Sequence, residues 1–383
     1  MSSVDFTSFL KLMAHKKASD LFITAGVAPS IKVHGRIVPI TQEALTPQQS
    51  RDMVLNVMTP QQREEFEKTH ECQFAIGVSG VGRFRVSCFY QRNHVGMVLR
   101  RIETKVPTFE ELNLPPILKQ LSMTKRGIII FVGATGTGKS TSLAAMVGYR
   151  NRNSTGHIIT IEDPIEYVHR HEGCIITQRE LGIDTDSWEN ALKNTLRQAP
   201  DVIMIGEVRT RETMEHAINF SETGHLCLCT LHANNANQAM DRIIHFFGED
   251  RREQLFMDLS LNLKGVVAQQ LIPTPDGKAR RVAMEIMLGT PLVQDYIRKG
   301  EVHKLKDVMK ESTNLGMQTF DQSLFTLYQA GEISYEDALR HADSANEVRL
   351  KIKLAQGGDA HTLSQGLDGV DLEETGDEHT MRF

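Results

Sequence analysis

The chain has 383 residues, which is too long for one typical compact domain and predicts two or three. Its hydrophobic content of 40% is ordinary for a globular protein, and no apolar run approaches the length of a membrane span, so a transmembrane segment is not expected. The formal net charge is −5, but residues 357–383 hold seven acids and one arginine, which leaves +1 for the rest. A nearly neutral body argues against a general nucleic-acid binder.

We expect no secretory signal at the start of the sequence, because "MSSVDFTSFLKLMAHKK" carries Asp5 and lacks a long apolar region after a positive one. The five cysteines include no C-x-x-C pair, so we expect neither a structural zinc site nor disulfides. Cys227 and Cys229 fall on one face of an apparent strand, where buried free thiols are the usual arrangement. These features predict a cytosolic protein.

Residues 1–102 are predicted to form a small α/β domain with an antiparallel sheet. An amphipathic helix, "FTSFLKLMAHKKASD", precedes short strands such as "DLFITAG", "PSIKVHGRIVPI", "GRFRVSCFY" and "GMVLRRI". A proline-interrupted stretch follows, so residues 103–126 are predicted as a linker running into a first helix. In residues 127–356 apolar strands alternate with helices, which indicates a mostly parallel sheet wrapped by helices. Residues 357–383 are rich in glycine and acids and poor in aromatics, which predicts a disordered acidic tail.

A glycine-rich turn lies between an apolar strand and a helix within residues 128–148. The turn, "GATGTGKS", matches the phosphate-binding loop G-x-x-x-x-G-K-[ST] at every fixed position. Its glycines let backbone N–H groups curl around a β-phosphate, and the helix directs its positive end at the same anion. Lys139 should then reach the β- and γ-phosphates, and the Ser140 hydroxyl should bind Mg²⁺. The alternative is a glycine turn without a ligand, but the flanking strand and helix are the context that the motif requires. The predicted nucleotide-binding residues are Gly133, Ala134, Thr135, Gly136, Thr137, Gly138, Lys139, Ser140 and Thr141.

Polar residues recur where three later apolar strands end. "HIITIEDPIEYVH" ends its strand with Glu162 and Asp163, "DVIMIGEVR" ends with Glu207, and "HLCLCTLHANN" ends with His232. Ligands of doubly wound sheets bind at the carboxyl ends of the strands. We therefore expect all three clusters to converge on the nucleotide that the glycine loop holds.

Phosphoryl transfer assigns roles to these residues, because it needs a cation clamp, an oriented water and added charge stabilisation. Glu207 resembles the acid that holds Mg²⁺ in such proteins, although Asp is usual there and a glycine precedes it here. Glu162 is the candidate for polarising the attacking water. A structural role is the alternative for both glutamates. His225 and His232 either contact the γ-phosphate, link neighbouring sites or hydrogen-bond a backbone carbonyl, and the spacing does not decide.

Four blocks of this sequence resemble, in order, the Walker A, Asp box, Walker B and His box of the secretion ATPases. They are "GATGTGKST", "IITIEDPIEYVH", "DVIMIGEVR" and "TGHLCLCTLHAN". The chain is most similar to the type IV pilus retraction ATPases of the PilT/PilU family, and the resemblance covers roughly residues 1–350. It implies a homo-hexameric ring of PAS-like N-terminal domains and RecA-like ATPase domains that uses ATP and Mg²⁺. It also implies that the protein drives pilus disassembly for twitching motility. The resemblance places it peripherally at the cytoplasmic face of the inner membrane, with a pilus platform protein as a partner.

The resemblance also implies roles for individual residues. Lys139 and Ser140 match the Walker A pair, Glu162 the Asp-box catalytic acid and Glu207 the Walker B acid that binds the metal. His225 and His232 match the His-box pair. Family members also use N-terminal-domain arginines at a nucleotide, and the matching positions are Arg85 and Arg100. The alternation in "RFRVSCFY" agrees, because it puts Arg85 on the face opposite the core residues. A plain solvated strand face is the alternative for both arginines.

Departures from the family pattern indicate which branch of the secretion ATPases this chain resembles. The absence of a tetracysteine zinc motif favours the retraction branch over the extension and secretion ATPases. The region "TPLVQDYIRKGEVHKLKDVMKES" and the acidic tail look more like the accessory, PilU-type members than the principal motor, which predicts a principal retraction ATPase as a partner. Two alternatives stay open: a nucleotide-binding accessory ring whose own hydrolysis is dispensable, and a ring ATPase for type II secretion or DNA uptake.

Overall fold

A computed structural model describes residues 6–356 of the chain. The acidic tail predicted for residues 357–383 lies outside the described residues. The described part divides into two compact units, one of residues 6–270 with 285–317 and the other of residues 271–284 with 318–356. No helix within residues 6–356 is both long enough and apolar enough to cross a membrane.

The N-terminal part of the first unit contains three helices and a six-stranded sheet. Its elements are α1 (Phe6–His15), β1 (Asp20–Ile23), β2 (Ser30–Val33), β3 (Arg36–Pro39), α2 (Pro47–Asn56), α3 (Pro60–Thr69), β4 (Glu71–Val78), β5 (Gly82–Gln91) and β6 (His94–Ile102). The strand order is β3-β2-β1-β6-β5-β4, and every neighbouring pair is antiparallel. The predicted antiparallel sheet is therefore confirmed, whereas the PAS-like description stays a prediction.

Local sequence explains these elements. Along β5, Phe84, Val86 and Cys88 are buried while Arg85 between them is not, which is the alternation expected of a half-buried strand. The two helices that sequence analysis missed, α2 and α3, each begin with Thr-Pro-Gln-Gln. In both, the threonine and the second glutamine form a reciprocal capping box and the proline occupies the first helical position, so a readable start signal was present.

The second sheet has seven strands and carries the glycine loop. The remaining helices and strands are α4 (Ile117–Ser122), β7 (Gly127–Val132), α5 (Lys139–Asn153), β8 (Gly156–Glu162), β9 (Cys174–Glu180), α6 (Trp188–Thr195), β10 (Val202–Ile205), α7 (Arg211–Glu222), β11 (Leu226–Leu231), α8 (Ala236–Phe246), α9 (Arg252–Asn262), β12 (Leu263–Pro273), β13 (Arg280–Leu288), α10 (Pro291–Arg298), α11 (Leu305–Glu311), α12 (Phe320–Gln329), α13 (Tyr335–Arg340) and α14 (Ala345–Ala355). Short 3₁₀ helices lie at Leu196–Gln198, Glu249–Arg251, Val302–Lys304 and Thr313–Leu315.

The strand order of this sheet is β13-β12-β7-β11-β10-β8-β9, and all pairs from β12 to β9 are parallel. Strands β7, β10 and β11 are buried along their whole length, as expected for parallel strands covered on both faces. Cys227 and Cys229 on β11 are free and buried, as the sequence predicted. The α/β class with a mostly parallel sheet is thus confirmed, whereas the boundaries predicted at residues 102 and 126 stay predictions.

The second compact unit includes the helices α12 to α14. The buried Asp321 carboxylate accepts hydrogen bonds from the backbone N–H groups of Asp343 (2.8 Å) and Ser344 (3.2 Å), which join α12 to the start of α14. Arg281 and Glu332 form an ion pair of 2.6 Å within the same unit.

Candidate functional site

Four parallel strands bring the predicted site residues to one edge of the second sheet. Strand β7 leads directly into Gly133, β8 ends at Glu162, β10 leads into Gly206 and Glu207, and β11 leads into His232. Because β7, β11, β10 and β8 are consecutive neighbours in parallel register, their carboxyl ends lie side by side. The three predicted clusters therefore converge beside the glycine loop.

The glycine loop has the backbone shape that a phosphate cradle needs. Gly136 (φ 81°) and Gly138 (φ 88°) adopt left-handed conformations, which residues with a side chain rarely adopt. Helix α5 begins at Lys139, immediately after the second of these glycines. The loop thus opens onto the N-terminus of a 15-residue helix, whose free N–H groups and dipole favour an anion.

Lys139 is held within the loop rather than extended into solvent. Its Nζ donates to the carbonyls of Gly133 (2.7 Å) and Ala134 (2.9 Å), and the side chain is buried. Burial lowers the pKa of Lys139, although the nearby Glu207 carboxylate acts in the opposite direction. An anionic phosphate would therefore relieve the desolvation of this ammonium group.

A buried glutamine on β12 forms hydrogen bonds with the glycine loop and with α5. Gln269 donates from Nε2 to the carbonyl of Thr137 (2.7 Å) and accepts from the Ser142 hydroxyl on Oε1 (2.8 Å). Its side chain is 1% exposed, so both hydrogen bonds are shielded from water. Gln269 thereby ties the loop and the first turn of α5 to the same strand.

Glu162 is a buried carboxyl with two side-chain donors. Thr160 donates to Oε1 (2.6 Å) from the same strand, and Gln178 donates to Oε1 (3.1 Å) from β9. Burial raises the pKa of Glu162 to about 7, although these two hydrogen bonds lower it. Near neutral pH the group is therefore divided between its acid and base forms, as suits a general base.

Glu207 lies beside two cationic or potentially cationic side chains. Its Oε2 accepts from Arg209 (2.6 Å), and its Oε1 lies 3.0 Å from Nε2 of His232. Burial acts to raise the pKa of Glu207, but Arg209 and His232 outweigh burial, so the pKa lies below its ordinary value. Glu207 is thus an ionised carboxylate at neutral pH.

The structure explains the glycine that precedes Glu207. The N–H of Gly206 donates to the carbonyl of Ile161 (2.7 Å), and a Cβ on Gly206 would lie 3.1 Å from Cα of Glu162. A side chain at this position would push β10 away from the end of β8. Gly206 therefore allows the backbone just before Glu207 to lie against the backbone of Glu162.

The oxygen donors at this edge suit Mg²⁺ bound together with a nucleotide. Within residues 6–356 no group of three or more His, Cys, Asp or Glu side chains is arranged to hold a metal. Nucleotide-associated Mg²⁺ does not need such a group, because it takes phosphate oxygens and water with one or two protein ligands. The Ser140 hydroxyl at the start of α5 and the Glu207 carboxylate are hard oxygen atoms of this kind, and their binding of Mg²⁺ stays a prediction.

The two predicted arginines lie opposite each other on β5 and β6 but have different partners. Arg85 contacts Gln73 (Nη2 to Oε1, 3.0 Å) and lies 3.7 Å from Oε1 of Glu180 on β9. Arg100 donates to Asp20 (3.0 Å), and its side chain is 69% exposed. Strands β5 and β6 place the arginines in direct register. Both therefore lie on the face away from the small core, which was predicted for Arg85 alone, and their role at a nucleotide stays a prediction.

His225 and His232 lie at opposite ends of β11. His232 follows the strand and contacts Glu207, whereas His225 precedes it and has its Nδ1 3.1 Å from the carbonyl of Phe220. A six-residue strand spans about 20 Å, so the two histidines cannot meet at one nucleotide of this chain. His232 therefore lies beside Glu207 and His225 lies beside a backbone carbonyl, and the role of each at a nucleotide stays a prediction.

The sequence matches the protein family described as "Type II/IV secretion system protein" over residues 5–350. The chain belongs to this family. It is 68% identical over 379 residues to the "Type IV pilus ATPase PilU" of Pseudomonas aeruginosa, which covers 99% of both chains. It is 40% identical over 339 residues to the "Type IV pilus retractation ATPase PilT" of the same organism, covering 88% of this chain and 98% of that one. A crystal structure of the pilus retraction motor PilT with bound ADP has a TM-score of 0.84 at 38% identity, covering 90% of this chain and 99% of that one.

Sequence reasoning missed the supporting residues of this secretion-family site. Gln269 lies 132 residues along the chain from Thr137, and Gln178 lies on a different strand from Glu162, 16 residues away. Their signal is weak, because a single glutamine in an apolar strand shows only that a buried polar group needs a partner. The contact of Thr160 was easier to predict. Thr160 lies two residues before Glu162, and the alternation of a strand puts both side chains on the same face.

Proposed function

We propose that this chain is a Mg²⁺-dependent ATPase that uses hydrolysis of ATP to ADP and phosphate for type IV pilus retraction, as an accessory to a principal retraction ATPase. One observation carries the proposal. The glycine loop, Glu162 and Glu207 meet at one sheet edge in a chain that is 68% identical to a protein named as a type IV pilus ATPase.

The chain's own residues divide the chemistry among them. The loop amides and Lys139 bind the phosphates, and Ser140 with Glu207 would hold Mg²⁺, which neutralises charge between the β- and γ-phosphates. Glu162 accepts a proton from the attacking water. Burial supports this role, because a pKa of about 7 makes Glu162 a far stronger base than an exposed glutamate.

The proposal extends to assembly and location. The chain forms a homo-hexameric ring at the cytoplasmic face of the inner membrane and contacts the principal retraction ATPase and a pilus platform protein. Residues 1–102 act as a PAS-like domain, residues 103–126 as the connection and residues 127–356 as a RecA-like ATPase domain. Arg85 and Arg100 supply positive charge to a nucleotide within the ring. The resemblance to retraction ATPases supports each of these statements.

A second candidate is an accessory ring whose own hydrolysis is dispensable. The region that departs from the principal motor type, residues 291–313, favours this candidate. It forms α10 and α11, and it leaves Leu292 about half exposed on α10. An exposed leucine there is available to a partner.

The deciding experiment is Mg²⁺-dependent ATP hydrolysis by the purified chain beside Glu162→Gln, followed by a motility assay in cells that carry the variant. Loss of both hydrolysis and retraction in the variant supports a motor whose own chemistry does the work. Retraction without hydrolysis supports the dispensable-hydrolysis ring. Normal retraction after deletion, with failed secretion or DNA uptake, contradicts the retraction function.

A further inference from the structure

The Glu162 carboxylate is held by one of its two oxygens. Thr160 Oγ1 (2.6 Å) and Gln178 Nε2 (3.1 Å) both donate to Oε1. Among residues 6–356 no hydrogen bond reaches Oε2, and the side chain keeps a small exposed surface, 8% of the residue. Two donors on one oxygen fix the rotation of the carboxylate and leave the lone pairs of the other oxygen free.

The direction of the Gln178 amide is also determined. Its Nε2 donates a second hydrogen bond to the carbonyl of Tyr167 (2.9 Å), and its Oε1 accepts from the N–H of His169 (2.8 Å). A flipped amide would turn its oxygen toward two acceptors and its NH₂ toward a donor, which is unfavourable on all three contacts. Gln178 therefore presents a donor, and not an acceptor, to Glu162.

The same network reaches the nucleotide loop. The hydroxyl of Tyr167, whose carbonyl binds Gln178, lies 3.1 Å from Oγ1 of Thr141 in the first turn of α5. Consecutive hydrogen bonds thus join the Glu162 carboxyl to the segment after it and to the helix that follows the glycine loop.

We propose that Thr160 and Gln178 are positioning residues for Glu162, which hold its Oε1 so that Oε2 is the atom that receives the proton of the attacking water. This inference rests on the proposed ATPase function. In the step, the water oxygen bonds to the γ-phosphorus, one water proton passes to Oε2, and the bond from the γ-phosphorus to the bridging oxygen of ADP breaks. The proton then leaves Glu162 for solvent, so the carboxylate is restored.

The hydrogen bonds and charges around Glu162 also set its pKa. Thr160 and Gln178 stabilise the ionised form, whereas the carboxylates of Glu166 and Glu180 oppose it. Removal of either donor therefore raises the pKa of Glu162 further. The base form would then be populated only at higher pH, and turnover would require a more alkaline solution.

The test compares steady-state ATP hydrolysis by the full chain and four variants between pH 6 and 9. Thr160→Val removes the hydroxyl at nearly constant shape, and Thr160→Ser keeps it. Gln178→Leu removes the amide. Thr177→Val is the matched control, because it makes the same threonine-to-valine change on the neighbouring strand β9, where the hydroxyl contacts His157 (2.9 Å) and not Glu162.

We expect Thr160→Val and Gln178→Leu to lower kcat at pH 7 by roughly tenfold or more, with KM for ATP within about twofold of the parent. The fall of kcat at acidic pH should begin at a higher pH in these two variants. Part of their lost kcat should therefore return at pH 9. Thr160→Ser and Thr177→Val should behave like the parent chain.

The inference is overturned by an unchanged kcat and pH profile in Thr160→Val, or by an equal loss in Thr177→Val, which would indicate general damage to the sheet. If Gln178→Leu does not fold, the nearly isosteric Thr160→Val decides alone. A parent chain that hydrolyses no ATP, or Glu162→Gln with full turnover, overturns the proposed function itself and the inference with it.

Discussion

Replacing Glu162 by glutamine should stabilise the folded chain at alkaline pH, independently of any effect on activity. The pKa of Glu162 is raised from an ordinary 4.5 to about 7 by burial. The unfolded chain therefore releases this proton first, and above pH 4.5 its ionisation favours unfolding. The stability that protonated Glu162 contributes is complete below pH 4.5 and is lost as the pH rises to about 7.

The difference between the two pKa values sets the size of this effect. Since 7 minus 4.5 is 2.5, and each pKa unit corresponds to about 1.4 kcal/mol, the loss approaches about 3.4 kcal/mol at pH 8.5. At pH 5.5 only about 1.4 kcal/mol has been lost. Glutamine carries no charge, and its carbonyl can accept the same bonds from Thr160 and Gln178. The difference in the free energy of unfolding between variant and parent should therefore be about 2 kcal/mol larger at pH 8.5 than at pH 5.5.

Thermal unfolding of both proteins at the two pH values, at equal concentration, measures this difference. We expect the variant to melt a few degrees higher at pH 8.5 and the gap to narrow at pH 5.5. Glu172→Gln is the matched control, because Glu172 is exposed and is not among the groups that shift the pKa of Glu162, so its replacement should not reproduce the pH-dependent gap. A gap that does not change with pH, or a variant less stable than the parent at pH 8.5, would refute the reasoning.

Three further predictions concern the loop, the strand contact and the arginine. Gln269→Leu leaves the buried carbonyl of Thr137 without its donor, so we expect a loss of about 1–3 kcal/mol in a denaturant titration and a raised KM for ATP. Gly206→Ala brings a Cβ to 3.1 Å from Cα of Glu162, and we expect reduced kcat with nearly unchanged ADP binding by calorimetry. Arg85→Ala should lower turnover of the assembled ring by about tenfold or more, and a collapsed melting temperature would instead indicate a structural role.

The sequence was sufficient wherever a function imposes a local pattern. The glycine loop lies between β7 and α5 as its motif predicts, and Glu162 and Glu207 lie at strand ends because both follow short apolar runs. Parallel strand ends share an edge whatever the order of the strands, so their convergence could be expected without knowledge of the topology. His225 shows the limit of spacing, since it belongs to the same block as His232 but precedes the strand.

The supporting residues could not be predicted, because they depend on which strands are neighbours. Gln178 reaches Glu162 only because β9 pairs with β8, and Gln269 reaches the loop only because β12 pairs with β7. Strand order is a tertiary property, and no local pattern in this chain fixes it. The glycine at position 206 is similar: its small size has a reason only when the end of β8 lies against it.

The register of β8 and β9 sets two buried glutamates beside each other with different surroundings. Glu162 is paired with Glu180, but Glu180 is fully buried, its Oε1 has no hydrogen bond, and its nearest cation is Arg85 at 3.7 Å. A displacement of Arg85 away from Glu180 would break this contact. An ionised carboxylate abandoned in the interior is costly, but burial raises the pKa of Glu180, so the group can take up a proton when the arginine leaves. Movement of Arg85 away from Glu180 should consequently be accompanied by proton uptake one strand away from Glu162.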